Sequence, residues 1–368
     1  MKFLVTCKLG LESVVARELK SLGIEPAGVN DARVLFPGDY SDMAKASVWL
    51  RCAERLLLVV GSFPAKSFDE LFEGTKSLDW KRFLCRDAAI HVNGKSAKSA
   101  LFSVSDCQSI VKKSIVENLK SAYNTAVIPE TGSTIIVEVG LFKDTATLAL
   151  DCSGAGLSRR GYRTYNVAAP LSETLGAALV LLSRHRPDQP LIDPMCGSGT
   201  IPIEAAMIAM NAAPGVNRKF AAEDWPFVEK QIWRIAREQA RDSVREVKLD
   251  ILGSDIDARS IELCKKHAKK AGVMLKWEVK PLCDIRSNKE NGVIICNPPY
   301  GERMLEKREA ENLYKQMRAP FEALDGWSVN VFTANRDFEK LYGRRADKRR
   351  KLSNGGMPCT LYQYFKHS

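Results

Sequence analysis

The chain has 368 residues, 45% hydrophobic and 27% charged, the composition of a soluble globular protein long enough for two or three domains. No apolar run reaches the length of a membrane span, and the start, MKFLVTCKLGLESVVARELK, lacks the apolar stretch and cleavage site of a secretory signal. A net charge of +11 and a pI near 9.1 favour a polyanionic partner, while ten cysteines without a C-x-x-C pair and four histidines without ligand spacing point to free thiols, a reducing cytoplasm and no zinc site.

KFLVTC alternates apolar and polar residues and predicts a strand; LESVVARELKSLG has helical period and stops at Gly23. ARVLFPG is a short strand ending on a Pro-Gly turn. YSDMAKASVWLRCAERLLLVVGSF begins a helix near Ser41 and becomes β-rich. Residues 1–54 thus read as a small α+β unit. Over 55–157, AAIHVNGK and STIIVEVGLFKDTATLALDCSG are strands around the helix SVSDCQSIVKKSIVENLK, where Ser105 and Gln108 have capping-box spacing. Lys112 and Lys113 lie on this helix, and Lys95 and Lys98 in the Lys-, Ser- and Gly-rich loop before it. Such lysines suit phosphate contacts, though a solvated surface explains each as well. The connector LSRRGYRTYNVAAP holds Arg159, Arg160 and Arg163 with Tyr162 and Tyr165 interleaved. Arginine with aromatic rings suits stacking on RNA and equally suits packing between domains.

From residue 170 helices and strands alternate, which implies a parallel sheet covered on both faces. SETLGAALVLLS is a helix with Ser172 at its N-cap, followed by PLIDPMCGSGT, the helix IPIEAAMIAM, and a polar, Trp-containing insertion to about 246. LDILGSDID, ARSIELCKKHAKKAG, MLKWEVK, GVIICNPPY, AENLYKQMRAPFEAL and WSVNVFTAN continue the series. The basic run YGRRADKRRK, 342–351, reads as a solvated helix end or tail, or as a phosphate-contacting patch. KLSNGGMPCTLYQYF can close the sheet as an antiparallel hairpin.

The chemistry concentrates at predicted strand ends. In DPMCGSGT, Asp193, Cys196, Gly197, Ser198, Gly199 and Thr200 form a glycine turn between strand and helix, where free amides and the helix dipole receive an anion. Pro202 stands where a dinucleotide fingerprint needs its third glycine, and Thr200 where a P-loop needs lysine, so neither motif fits. Asp255, with Ile256, ends the next strand and can accept both hydroxyls of a ribose. Asp284, with Ile285, follows a third strand and can accept from an adenine amino group. A carboxylate, a ribose and an adenine without phosphate describe S-adenosylmethionine. VIICNPPY ends a fourth strand on Asn297, Pro298, Pro299 and Tyr300. Prolines cannot pair in a sheet, so the chain leaves it there with fixed geometry. The Asn297 side-chain carbonyl and the Pro298 backbone carbonyl can each accept a hydrogen of an exocyclic amine, and Tyr300 offers a ring to a splayed-out base.

DPMCGSGT, GSDID, CDI and NPPYG together resemble the amino-methylating class of S-adenosylmethionine-dependent methyltransferases. GLSRRGYR, APLSETLGAALVLLS and the N-terminal half narrow the likeness to THUMP-domain RNA methyltransferases of the RlmL/YpsC type, which make N2-methylguanosine in ribosomal RNA. The resemblance implies a ferredoxin-like region over 1–54, an RNA-binding THUMP domain over 55–157, and an α/β Rossmann-like class I methyltransferase domain with a mostly parallel seven-stranded sheet over 158–368. It implies that Asp193, Cys196, Gly197 and Gly199 line the methionine end of the cofactor, that Asp255 holds the ribose and Asp284 lies by the adenine, and that Asn297 to Tyr300 hold the target base, with Asn297 beside the cofactor as well. The implied product is N2-methylguanosine in the large-subunit (23S) ribosomal RNA. Transfer RNA, adenine-N6 methylation of RNA or DNA, and a non-catalytic RNA-binding role are the alternatives. Some members carry a second methyltransferase domain; a chain ending at Ser368 is expected to perform one methylation. The SGG-x-DS loop of THUMP-containing thiouridine synthetases does not occur in the sequence.

Overall fold

The computed structural model describes residues 1–163, 171–301 and 304–366, without the side chains of 304 and 305. Tyr165 of the connector lies outside the described residues. The first half comprises β1 (Lys2–Cys7), α1 (Glu12–Ser21), β2 (Gly28–Asn30), β3 (Arg33–Pro37), α2 (Tyr40–Trp49), β4 (Ala53–Pro64), α3 (Phe68–Lys76), β5 (Ala89–Ala97), α4 (Val104–Ala122), β6 (Thr134–Phe142) and β7 (Thr145–Asp151). Its strands form one sheet in the order β2-β3-β1-β4-β7-β6-β5. The twelve-residue β4 pairs with β1 on one side and β7 on the other, so a single sheet runs through both N-terminal units.

Two local readings change. The cap of α4 is Ser103, not Ser105, and no side chain closes it; Gln108 instead donates from Nε2 to the Val92 carbonyl at 3.0 Å, because the helix starts two residues earlier than the box requires. The helix predicted near Ser41 is capped by Asp39, whose carboxylate accepts from the Asp42 amide while Asp42 answers the Asp39 amide.

The second half comprises α5 (Glu173–Ser183), β8 (Leu191–Asp193), α6 (Thr200–Ala209), α7 (Lys230–Asp242), β9 (Ile251–Asp255), α8 (Ala258–Ala271), β10 (Lys276–Val279), β11 (Val293–Cys296), α9 (Met304–Glu322), β12 (Ser328–Thr333), α10 (Phe338–Tyr342), β13 (Lys348–Asn354) and β14 (Met357–Tyr364). Its sheet has the order β10-β9-β8-β11-β12-β14-β13; β8 to β12 are parallel, and the β13–β14 hairpin runs antiparallel at one edge. This is the Rossmann-like sheet expected. The helices α5 and α6 are apolar almost all round and accordingly buried. The insertion read only as polar and Trp-containing holds α7, which packs on α2. One apolar cluster extends from Phe3 to Leu361, so the two sheets share an interior. Among the described residues no helix is long and apolar enough to cross a membrane.

Candidate active site

The chain lays down β8, moves outward to β9 and β10, then returns to place β11 against the other side of β8. Ligands of open α/β sheets bind at such a reversal, beyond the strand C-termini. Ile294 of β11 sits opposite Ile192, one residue before Asp193, and Asp193 sits opposite Gly253, two before Asp255. Strand register therefore brings the glycine turn between Asp255 on one side and Asn297 on the other.

The turn is laced to its neighbours. Met195 donates its amide to Asp193 Oδ1 at 3.2 Å and Cys196 donates to the Ser254 carbonyl at 3.0 Å. Gly197 donates to Asp255 Oδ2, and Asp257 to Asp255 Oδ1, each at 2.9 Å. Behind it, the Cys264 thiol of α8 reaches the Gly197 carbonyl at 3.1 Å and His267 Nδ1 lies 3.0 Å from the Ser198 carbonyl. Gly199 precedes α6 at φ 82°, with its α-carbon against Cys264 and Trp277, where any side chain would collide. Gly197 is different: a side chain there would meet only open space. Thr200 opens α6, with its hydroxyl 3.4 Å from that of Ser198.

Burial pushes the Asp193 carboxyl well above the carboxylate range, and nearby Asp255 adds to the shift. A cationic group brought to it would favour its ionised form. Ile256 is 76% exposed directly after Asp255, an apolar face beside a carboxylate. Open space at Gly197, the Asp255 carboxylate and this bare apolar side chain fit an adenosyl ligand with a charged amino-acid end. Asp284 is exposed on a short 3-10 turn after β10, with the Cys283 thiol 3.6 Å from its Oδ1; Ile285 is buried beneath it.

Asp255 has a second task besides the one predicted for it, since both its oxygens already fix backbone amides. Asp255→Ala is expected to weaken S-adenosylmethionine binding by at least about 10-fold, from loss of a charge-assisted bond of roughly 1.5–3 kcal/mol. Calorimetric titration checks this; equal affinity in the variant removes Asp255 from the ligand site.

At the end of β11, Asn297 is half-buried and Pro298 buried. Among the described residues the Pro298 carbonyl has no hydrogen-bond partner. The Pro299 carbonyl does: Tyr314 of α9 donates to it at 2.7 Å and lies 3.0 Å from the Thr333 hydroxyl. Tyr314 and Thr333, absent from the sequence reading, brace the turn from behind. Tyr300 departs from expectation. Its ring is half-buried against the apolar core, because its hydroxyl donates to Asn297 Oδ1 at 2.7 Å and accepts from Asn354 Nδ2 at 3.4 Å. Burial, then Cys359, holds the phenol above its ordinary value, so it stays protonated. The acceptor predicted for an amine is thus occupied by an internal donor.

The basic candidates divide. Lys95, Lys98, Lys113 and Arg159 are exposed. Lys112 is paired with Glu130 at 2.9 Å. Arg160 is not a surface group: it is buried, with Nε 3.3 Å from Glu204 and its other nitrogens on the Leu157 and Arg51 carbonyls. Tyr162 is also buried and donates to Glu204 at 3.0 Å, which removes it as a stacking ring. Arg163 donates to the Leu171 carbonyl and to Glu173, both at 2.8 Å. The carboxylates of α5 and α6 draw this connector inward.

Three family descriptions match the chain: an RlmL ferredoxin-like domain over 2–57, a THUMP domain over 65–151, and an RMKL-like methyltransferase domain over 160–363. The Bacillus subtilis protein YpsC, provisionally named an RNA methyltransferase, is 47% identical over 98% of this chain and 95% of its own length. A ribosomal RNA large subunit methyltransferase K/L from Aliivibrio fischeri is 33% identical over 99% of this chain, which spans only 53% of that relative. Among solved structures, SMU.472, provisionally named a methyltransferase and complexed with SAH, superposes with a TM-score of 0.95 at 42% identity, covering 100% of this chain and 98% of its own. A Listeria monocytogenes protein described as a predicted N6-adenine-specific DNA methylase gives 0.94 at 45% identity, covering 100% and 96%.

Proposed function

This chain belongs to the RMKL-like methyltransferase family, with ferredoxin-like and THUMP domains before the catalytic one, and from that premise we propose that it methylates the exocyclic N2 amine of a guanosine in large-subunit ribosomal RNA. The observation that carries the reading is the Asn297–Tyr300 turn, held at the end of β11 one strand from the glycine turn of β8.

S-adenosylmethionine, when bound, supplies the methyl group; Asp193, Gly197, Asp255 and Ile256 are the residues that would hold it. The protein's own contribution is positional. Asn297 Oδ1 and the Pro298 carbonyl accept the two amine hydrogens. Two acceptors favour a pyramidal nitrogen and draw its lone pair out of the ring system, toward the methyl donor. No strong base is required before attack, because the proton leaves with or after methyl transfer. The prolines and the Tyr314 bond to Pro299 keep the carbonyls in place beforehand. Tyr300 supplies its ring to the base once its hydroxyl leaves Asn297. The THUMP region grips structured RNA, with Lys95, Lys98, Lys113 and Arg159 as its exposed cations and those of the adjoining connector.

Tyr300 gives a graded test. Tyr300→Ala is expected to lower kcat/KM by about 5–150-fold, the roughly 1–3 kcal/mol of base stacking. Tyr300→Phe keeps the ring, frees Asn297 and is expected to stay within about threefold of wild type. Equal losses in both variants assign the role to the hydroxyl instead.

The function itself is tested with labelled S-adenosylmethionine and RNA from a strain lacking the gene, fractionated by size and digested to nucleosides. Label in N2-methylguanosine from the large-subunit fraction supports the reading; the same nucleoside from transfer RNA changes the substrate. A second reading, adenine-N6 methylation, is favoured by the acceptor turn, which serves either base, and by the description of the Listeria relative. Label in N6-methyladenosine selects it.

A further inference from the structure

The basic run at 344–351 holds six cations and one carboxylate, and the fold makes it neither a tail nor a helix end. Helix α10 stops at Gly343 and the run becomes β13, the edge strand beside β14. Arg344 and Arg349 are taken by Glu322, Asp347 and Glu339. Arg350 turns toward the N-terminal half, where its guanidinium donates to the Gly10 carbonyl and to Ser13 Oγ at 2.8 and 2.7 Å. Arg17 of α1 converges on the same residue, with its Nε 3.3 Å from the Ser13 carbonyl. Two guanidinium groups thus meet over Ser13 on neutral acceptors. Among the described residues no carboxylate lies within ion-pair distance of Arg17, Arg350 or Lys348. The acids closest in sequence are engaged elsewhere: Glu12 accepts the Gly10 and Ala32 amides, Glu18 the Arg51 and Cys52 amides, and Asp347 the Phe365 amide beside its pairing with Arg344. Burial and then Arg17 depress the Arg350 pKa, with Glu12 pulling the other way without reversing the shift. An anion placed between the two guanidinium groups relieves their repulsion.

The other end of the strand reaches the acceptor turn. Asn354 closes β13 and touches the Tyr300 hydroxyl. At about 3.3 Å per residue, Arg350 and Lys348 stand about 13 and about 20 Å from Asn354 along the strand. That is the reach of backbone phosphates a few nucleotides from a base held at Asn297. Resting on the RNA-methylation reading, we propose that the seam between α1 and β13, with Arg17, Arg350 and Lys348, holds phosphates of the RNA strand flanking the target nucleotide.

The test measures binding of large-subunit RNA, purified from a strain lacking the gene, across a salt series. Arg17 and Lys348 are exposed, so Arg17→Ala/Lys348→Ala leaves the Arg350 anchor intact. Each lost phosphate contact lowers the slope of log K against log salt by about 0.7–0.9, so the pair is expected to lower it by about 1.5 and affinity by about 10-fold, with S-adenosylmethionine affinity unchanged. A charge-matched control, Lys230→Ala/Arg241→Ala on the exposed face of α7, should leave the slope near wild type. An unchanged slope in the seam variant, or an equal fall in the control, overturns the proposal. The two readings fail separately. Wild-type protein that binds RNA with a seam-dependent slope but transfers no methyl group keeps the seam and removes the activity; methylation with a slope indifferent to the seam does the reverse.

Discussion

Asn297→Ala is expected to bind S-adenosylmethionine as the wild type does and to lose about 10²–10³-fold in kcat, the scale of removing one preorganised polar group from a reacting centre. The reason is where Asn297 stands. It follows β11 at the strand reversal, while the residues that would hold the cofactor follow β8 and β9. Among the described residues its oxygen accepts only the Tyr300 hydroxyl, so the substitution unties a small local network and leaves the glycine turn, laced to Asp255 and Ser254, untouched. An acceptor that acts on the amine as its nitrogen pyramidalises is worth more in the transition state than in the ground state. Its loss therefore falls on kcat more than on KM. Calorimetry with S-adenosylmethionine and single-turnover methylation of RNA measure the two halves. Turnover within a few-fold of wild type would sink the acceptor role, and lost cofactor binding would mean that the turn shapes the other side of the cleft.

That the glycine turn, the acid and the double proline fall at neighbouring strand ends was legible because their signals are local. A glycine turn, an acid at a strand end and a double proline each report how a few consecutive residues leave a sheet, and strand order then assembles them. What sequence spacing does not carry is the direction a side chain takes when a distant partner competes for it. Arg160 and Tyr162 look like an RNA-facing pair until Glu204, more than forty positions on, draws both inside. Tyr300 looks exposed until a hairpin more than fifty residues later supplies Asn354 and Cys359. Tyr314 and Thr333 brace Pro299 through contacts that no motif encodes. The boundary between the N-terminal units is similarly hidden, because β4 belongs to the sheet on both sides. The edge-strand role of the basic run depends on pairing with β14, which the turn at Gly355 and Gly356 only hints at.

Glu204→Ala is expected to be the most destabilising single change, costing about 3–5 kcal/mol, because it strands a buried cation. Glu204 is fully buried on α6, the helix that begins at the glycine turn, and takes Arg160 and Tyr162 of the connector. Arg160 in turn holds the Arg51 carbonyl, and Glu18 accepts the amides of Arg51 and Cys52. These bonds tie the N-terminal sheet to the cofactor helix. Burial works against the Arg160 charge, but Glu204, joined by Tyr162 and Glu173, offsets it and the net pKa is raised. Removing Glu204 takes away the largest influence that opposes burial of the Arg160 charge. The Arg160→Met/Glu204→Leu pair should then cost less than Glu204→Ala, since apolar side chains of similar size need no solvation. Urea unfolding of the singles and the double variant measures their coupling. Additive losses would show that the two charges act independently, and the connector would then be held by its carbonyl contacts rather than by the ion pair.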